Sequence, residues 1–421
     1  MISRVKGTQD FLDLTLYNFL IDKTQAHLEK AAFTEIATPL LEHTELFKRS
    51  LGLHTEVVSK EMYTVVTGHE TEDDSTRESL CLRPEATAST MRAFFNNNIE
   101  KKPWKVFSHG PIFRHERPQK GRFRQFHQVT IEAIGATSIA HDAELLSILD
   151  RLFTQQLKLN SYALLINFLG TTEDRINYKQ ALKAFLDAQK DLPAKIMDLK
   201  EKNIMRIFDL KDPACQQALE GAPVITDYLC AESQQEWGLL QSLLGQLSVS
   251  YSCNPRLVRG LDYYNKTVFE FVSSHLGAQS AFCGGGRYDH LSQTLGEKDP
   301  LPSLGAAFGI ERVLMLLEQN LDRLSIPQKP ALQMIMPMSV NEQPLALLCA
   351  DALRTNNICC DVILDVASMK SMMRKADKAN AQHVLIIGED ELKSNTITVK
   401  NMMTGQETKV KQGDLVKFFR K

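Results

Sequence analysis

Residues 107–135 read FSHGPIFRHERPQKGRFRQFHQVTIEAIG. The stretch opens with an apolar run, passes through a basic loop and returns through alternating polar and apolar residues. That order predicts a long antiparallel hairpin with a charged tip. Between Lys101 and Phe126 lie eight basic residues (101, 102, 105, 114, 117, 120, 122 and 124) and one acid, Glu116. The local charge is +7, in a chain whose formal charge is −2. A solvated basic turn explains most such runs. Here Arg114, Glu116 and Arg124 occupy even-numbered positions of the predicted stems, so regular strands would turn them to one face. Gln128 and Glu132 continue that phase down the returning stem. Solvation does not predict this alignment, whereas a site on one face of a sheet does.

The surrounding chain has 421 residues, 43% hydrophobic and 24% charged, which is enough for two or three domains with cores of their own. No run approaches the roughly 18 uncharged apolar residues of a membrane span. The N-terminal MISRVKGTQDFLDL lacks the apolar segment of a secretory signal. The eight cysteines form no CxxC pair and the histidines no HExxH, so neither a protein-built metal cluster nor a disulfide framework is expected. Reduced thiols in a cytoplasm are the default reading. The near-neutral total charge argues against general coating of nucleic acid and leaves room for a local basic surface.

Upstream of the hairpin, residues 10–32 carry helical spacing, and FTEIATPLLE (33–42) reads as a strand broken at Pro39. A helix through HTELFKRSLG stops at Gly52. Strands are expected at 61–66 and 80–83 around a polar loop, 68–79, with a helix over 84–98. Downstream come an amphipathic helix at 139–159 and a strand at 161–170. Residues 171–250 then read as an insertion of helices with Leu182, Phe185, Leu186, Ile207 and Phe208 in its core and no reactive group. Strands resume over PRLVRGLDYYNKTVFEFVSS (255–274), followed by a glycine-rich turn, AFCGGGRYDHL (281–291). LGAAFGIERVLMLLEQN (304–320) reads as a small-residue strand running into a helix. After a linker at 325–330, strands and helices alternate through 331–421, which predicts an α/β domain with a mainly parallel sheet.

Arg114, Glu116, Arg124 and Arg312 form one candidate group. Guanidinium groups bind phosphate oxygens bidentately, and a neighbouring carboxylate can take an exocyclic amine or a magnesium ion. Phe126 could stack under a base. A lone arginine is more often a surface ion pair, so only the combination carries weight. Arg259 sits among apolar residues and is costly there unless paired. Its plain reading is a buried Arg–Asp pair. Its functional reading is a cation aimed at a ligand anion, with Tyr263 and Tyr264 as pocket walls. Gly284–Gly286 match neither a dinucleotide fingerprint nor a Walker loop. Glu85, Thr87, Gln128 and Glu132 add acidic and polar groups to a basic site. That mixture suits a ligand with both charges, such as an amino acid beside a polyphosphate, although Glu85 alone is explained by a helix N-terminus.

The chain resembles the histidyl-tRNA synthetase family of class II aminoacyl-tRNA synthetases over nearly its whole length. TEIATPLLEHTELFKRSLG, FRHERPQKGRFRQFHQ and LGAAFGIERVLMLL are similar to the three class motifs. LVRGLDYYN (257–265) and CGGGRYD (283–289) are similar to motifs of the histidine enzymes, and LRPEATA (82–88) departs from the commoner LRPEGTA at Ala86. The resemblance implies an α+β catalytic domain with a mainly antiparallel sheet, made of 1–170 and 251–325 and interrupted by the helical insertion 171–250. It also implies an anticodon-binding module at 331–421.

The implied reaction is ATP-dependent ligation of L-histidine to tRNA(His) through a histidyl-adenylate. Glu85, Ala86, Thr87 and Gln128 would then surround the α-ammonium. Glu132 and Tyr264 would bind the imidazole, with Tyr263 and Tyr288 nearby. Arg114 and Arg259 would be the catalytic cations at the histidine site, Arg114 bridging the carboxylate of histidine and the α-phosphate and Arg259 contacting the α-phosphate from the other side. Phe126 and Arg312 would sandwich adenine, Glu116 would read its amine, and Arg122 or Arg124 would meet the outer phosphates. Arg117, Gln119 and Arg122 at the loop tip would receive the tRNA acceptor end. ATP with Mg2+, a homodimer and a cytoplasmic setting complete the implication. The rival is a non-catalytic regulatory subunit of ATP phosphoribosyltransferase, which commonly lacks the C-terminal module and some of these arginines.

Overall fold

In the computed structural model, which describes residues 2–420 apart from 53–54, 67–78, 190, 211 and 278–279, the chain parts into two units between residues 326 and 327. The first opens with α1 (Thr15–Lys30), which buries Phe19, Leu20, Thr24 and Leu28 at helical spacing. Short strands β1 (Thr34–Glu35) and β2 (Leu41–His43) follow on either side of Pro39. Helix α2 (Thr44–Leu51) ends at Gly52, whose φ of +87° suits a residue without Cβ. Next come β3 (Tyr63–Val65), β4 (Leu80–Leu82) and α3 (Thr87–Asn96). The polar loop expected at 68–79 lies, but for Ser79, outside the described residues.

The basic stretch forms β5 (Trp104–Phe113) and β6 (Gln125–Ile134), paired antiparallel from Trp104 opposite Ile134 to Phe113 opposite Gln125. Then follow α4 (Ala140–Arg151), β7 (Ala163–Phe168), α5 (Thr172–Asp187), α6 (Ala194–Lys202), α7 (Pro213–Ala218) and α8 (Ala231–Gln246). The unit closes with β8 (Ser252–Cys253), β9 (Asn265–Val272), β10 (Ala281–Arg287), α9 (Leu291–Thr294), β11 (Ser303–Gly309) and α10 (Ile310–Leu317). Eight strands form one sheet in the order β1-β5-β6-β11-β10-β9-β7-β8. Only its two edge pairs, β1–β5 and β7–β8, are parallel. The two-residue alternation of β6 decides its faces. Val129, Ile131 and Ala133 join a core with α1, α4, α8 and α10, while Gln128, Thr130 and Glu132 point the other way.

Leu182, Leu186 and Ile207 of the insertion are buried, with Phe185 and Phe208 packed beside them. Helix α8 instead contributes Leu240 and Leu244 to the core beneath the large sheet. The second unit comprises β12 (Gln333–Pro337), α11 (Gln343–Thr355), β13 (Cys360–Val362), α12 (Met369–Lys378), β14 (His383–Ile387), α13 (Glu389–Ser394), β15 (Thr396–Asn401), β16 (Glu407–Lys411) and α14 (Leu415–Phe419), alternating until β15 runs directly into β16. Its sheet is ordered β13-β12-β14-β15-β16. The crossover-linked strands β13, β12 and β14 are parallel, and β14–β15 and β15–β16 are antiparallel extensions.

Two expectations need correction. The glycine-rich segment is not a turn: Gly284–Gly286 lie inside β10, between β9 and β11. Glycine is required there by close approach. A Cβ on Gly284 would meet the Arg259 guanidinium, one on Gly285 the carbonyl of Gly305, and one on Gly286 the carbonyl of Thr267. Glycine-rich strands carry no side-chain alternation, so their sequence looks like a loop. Conversely, 255–264 is not a strand; only Asn265–Val272 of that run joins the sheet.

Two buried polar groups anchor this architecture. Arg287, at the end of β10, is 2% exposed and pairs with Asp142 at 2.7 Å and Asp289 at 3.3 Å. It also donates to the carbonyls of Ala136 and Ser138, both at 2.7 Å. On the opposite side of the sheet Glu132 faces Gly305 across β6–β11, where a Cβ would collide with its carboxylate. That carboxylate accepts hydrogen bonds from Thr87 Oγ1, at 2.6 Å, and from the Tyr288 hydroxyl.

Arg287→Met leaves Asp142 buried and uncompensated, and is expected to lower the unfolding free energy by about 3–5 kcal/mol in urea titration. Glu132 behaves oppositely with pH. Burial pushes its carboxyl up from about 4.5 to about 8, against the lowering by the Thr87 and Tyr288 hydrogen bonds. Between those values the folded chain holds a proton that the unfolded chain has released. Stability from this group therefore falls as pH rises through that window, by at most about 1.4 kcal/mol per pH unit, and levels off above it. Glu132→Gln should flatten the pH dependence of the urea midpoint; an unchanged slope would contradict the assignment.

Candidate active site

A cavity of about 490 Å3 opens on the polar face of the large sheet. Phe126, Gln128 and Thr130 of β6, Cys283 and Gly284 of β10 and Ala306 of β11 are among its floor residues. The small residues of β10 and β11 make the depth: the glycines and alanines that obscured the strands in the sequence leave room for a ligand.

One wall is the start of α3. Glu85 is 4% exposed and accepts backbone hydrogen bonds from Thr87 at 2.7 Å and Ala88 at 2.8 Å. Burial raises its carboxyl, while these bonds and Arg114 pull it back down. The helix N-terminus favours the ionised form. Ala86 holds φ −111° and ψ −15°, a conformation open to any residue, so its methyl replaces a glycine hydrogen without backbone strain. Thr87 links this wall to Glu132, which lies behind the lining with Tyr288. Tyr263 and Tyr264, whose rings are 4.6 Å apart, close the far side.

Arginines surround the remaining space. Arg114 donates to the Pro84 carbonyl at 2.9 Å and lies 5.6 Å from the centre of the Phe126 ring. Arg259 pairs with Glu270 and lies 5.7 Å from the Tyr264 ring. Its Nε is buried and makes no hydrogen bond among the described residues. Arg312 donates to Gly121 at 3.0 Å and Ala281 at 2.5 Å. Arg122 pairs with Glu116. Each guanidinium is thus held by fixed partners while part of it borders the cavity.

The structure brings most of the residues singled out in the sequence to this cavity and leaves others away from it. Glu85, Ala86, Thr87, Arg114, Glu116, Arg122, Phe126, Gln128, Arg259, Tyr263, Tyr264 and Arg312 border the cavity. Arg124 does not; it donates to the Glu116 carbonyl at 3.2 Å and lies against Gly7. Arg117 and Gln119 are exposed at the tip. Strand alternation cannot govern Arg114, Glu116 or Arg124, because β5 ends at Phe113 and β6 begins at Gln125. The partner of Arg259 is Glu270 rather than an aspartate.

Other groups escaped the sequence reading. Glu270 interrupts the apolar run VFEFV, a visible signal for a functional strand residue. Glu311 accepts from the His127 backbone at 2.9 Å and its ring Nδ1 at 2.9 Å, tying α10 to the start of β6. Arg206 and Asp209, from the insertion, also border the cavity. Among the described residues no group of three or more His, Cys, Asp or Glu is arranged to hold a metal ion.

Fixed cations can stabilise charge that develops on a phosphoryl group, and the acids at the other end can take a cationic ligand group. Residues 17–313 match the sequence model of histidyl-tRNA synthetase, and 333–421 match that of an anticodon-binding domain. The histidine–tRNA ligase of Oleidesulfovibrio alaskensis is 40% identical over 419 residues, 97% of each chain. That of Thermodesulfovibrio yellowstonii is 38% identical, over 100% of this chain and 98% of the relative. The crystal structure of apo S. aureus histidyl-tRNA synthetase superposes with a TM-score of 0.80 and 31% identity, covering 100% of both chains. The chain belongs to the histidyl-tRNA synthetase family.

Proposed function

We propose that this protein activates L-histidine with ATP to a histidyl-adenylate and then transfers the histidyl group to tRNA(His). The observation that carries the reading is one cavity bordered by Arg114, Arg259 and Arg312 and by Glu85, with the buried Glu132 joined to its wall through Thr87. An amino acid joined to a nucleotide has this distribution of charge. The full-length relatives named histidine–tRNA ligase support the same reaction.

The chemistry requires no protein nucleophile. The carboxylate of histidine attacks the α-phosphorus in line, a new P–O bond forms, and the bond to pyrophosphate breaks. Arg114 and Arg259 would stabilise the oxygens that gain charge, with little reorganisation because their other contacts already fix them. Glu85, Thr87 and Gln128 would hold the ammonium. Glu132, oriented by Thr87 and Tyr288, would meet the imidazole with Tyr264. A site that pairs both ring nitrogens rejects amino acids lacking them. Phe126 and Arg312 would enclose adenine, and Glu116 would accept from its amine. Since Arg124 is engaged elsewhere, Arg122 would serve the outer phosphates. Magnesium arriving with ATP would neutralise those phosphates, and Glu270 is among the cavity carboxylates that could hold it. In the second step the terminal hydroxyl of tRNA attacks the acyl carbon and AMP leaves.

Arg117 and Gln119, exposed at the hairpin tip, suit the acceptor end of tRNA, where phosphate contacts position the substrate. The match of 333–421 supports an anticodon-binding role for the second unit. Exposed Leu40 and Leu41, on and beside an edge strand, support a homodimer through this region. Eight free cysteines fit a reducing cytoplasm. No helix among the described residues is long and apolar enough to cross a membrane. The regulatory-subunit alternative is disfavoured by the retained arginines and the matched C-terminal unit.

Purified protein should catalyse histidine-dependent ATP–pyrophosphate exchange; RNA binding without exchange would refute the reaction. Arg259→His should lower the exchange kcat by about 10²–10³ with little change in KM for histidine. Weakened histidine binding at unchanged kcat would refute the role of Arg259.

A further inference from the structure

We propose that Arg206 of the helical insertion is a positioning residue for adenylate formation, acting through the backbone of the segment that carries Arg259. This rests on the synthetase reading above. Residues 254–264 belong to no strand, although they lie between β8 and β9. Their backbone therefore lacks a sheet ladder and must find other partners. Asn167 of β7 donates to the Pro255 and Leu257 carbonyls at 3.2 and 2.9 Å, and the insertion supplies the partners beyond Arg259. Arg206 donates through Nη2 to the carbonyl of Gly260, the residue after Arg259. Its Nε lies 3.7 Å from the Asp262 carboxylate. Asn203 donates to the same carboxylate at 3.0 Å, and Arg175 donates to the Tyr264 carbonyl at 2.8 Å. In the opposite direction, Arg256 donates to the Leu219 carbonyl at 2.8 Å.

These contacts bracket Arg259 on both sides in sequence. Gly260 is exposed, and a Cβ there would meet nothing within 4 Å. The Glu270 pair fixes the Arg259 head group, but the stem emerges from a backbone whose nearest restraint is the Arg206 hydrogen bond. The Arg206 side chain is 13% exposed, while the Gly260 end of that bond lies at the surface. A shift of about 1 Å in a group that stabilises the transition state reduces the rate on the order of 10²-fold. The insertion is thereby part of the catalytic apparatus, although it supplies no group that the reaction consumes.

Because Arg206 also borders the cavity, a direct contact with ATP is the competing role, and a double-mutant cycle separates the two. Arg206→Ala should lower the exchange kcat by roughly 10- to 100-fold, with KM for histidine and the urea midpoint nearly unchanged. Arg206→Lys, which can still donate to the Gly260 carbonyl, should recover part of the loss. In an Arg259→His background, Arg206→Ala should add less than about a twofold further loss. Asn203→Ala, which loosens Asp262 alone, should show the same pattern more weakly. An unchanged kcat in Arg206→Ala, or losses that multiply in the double variant, would overturn the proposal. A wild-type chain without exchange would refute the reaction itself, whereas an active wild type with an unaffected Arg206→Ala refutes only the positioning role.

Discussion

The near contact of backbone with backbone along β10 is the constraint on which the site depends. Gly284–Gly286 approach Arg259, Gly305 and Thr267 so closely that no side chain fits between them. This creates depth in the middle of a sheet, where alternating side chains would otherwise fill the space. The same closeness sets Glu132 against Gly305 and Arg259 against Gly284. Glu132 and Glu270 stand on strands of this sheet, and Glu270 in turn holds the Arg259 guanidinium, so part of the charge is placed before substrate binds, as preorganised electrostatic stabilisation requires. The cost is local: a strand of glycines contributes no side-chain packing and loses more backbone freedom on folding. Arg287 offsets part of that loss by anchoring the end of β10 to Asp142 and to two carbonyls.

Elements governed by one strong periodicity were legible in the sequence. The hairpin showed itself because apolar and polar residues alternate through β6, and α1 and α4 because their apolar residues recur at helical spacing. The C-terminal unit showed itself through the succession of strand and helix patterns. What escaped was structure defined by absence or by distance. Glycine in β10 carries no side chain to alternate, so the strand read as a turn. Arg259 looked embedded in a strand because apolar neighbours flank it, yet those neighbours serve an irregular segment held by the insertion. Arg124 shares the parity of Arg114 but stands beyond the regular strands, where parity no longer fixes direction. Arg206 lies 53 positions before Arg259 in sequence, and no local pattern reports a contact made across that separation.

The balance of charge explains why a site proposed for phosphates contains so many acids. Arg259 is paired with Glu270 and Arg122 with Glu116. A cavity walled by unpaired guanidinium groups would carry uncompensated charge in a poorly hydrated space, which is unfavourable to folding. The carboxylates remove that penalty and hold the arginines in fixed orientations before substrate arrives. The same pairs moderate ground-state affinity, because phosphate oxygens must compete with an existing partner. Such a site spends little of its attraction on the bound ground state and retains it for the charge that develops as pyrophosphate leaves. Glu132 follows a complementary logic at the other end. Deep burial keeps its proton, so the pocket for the amino-acid side chain remains nearly neutral while the phosphate end is held by paired cations. Separating a neutral, hydrogen-bonding end from a cationic end within one cavity lets the sheet orient a substrate along its polar face before any bond changes.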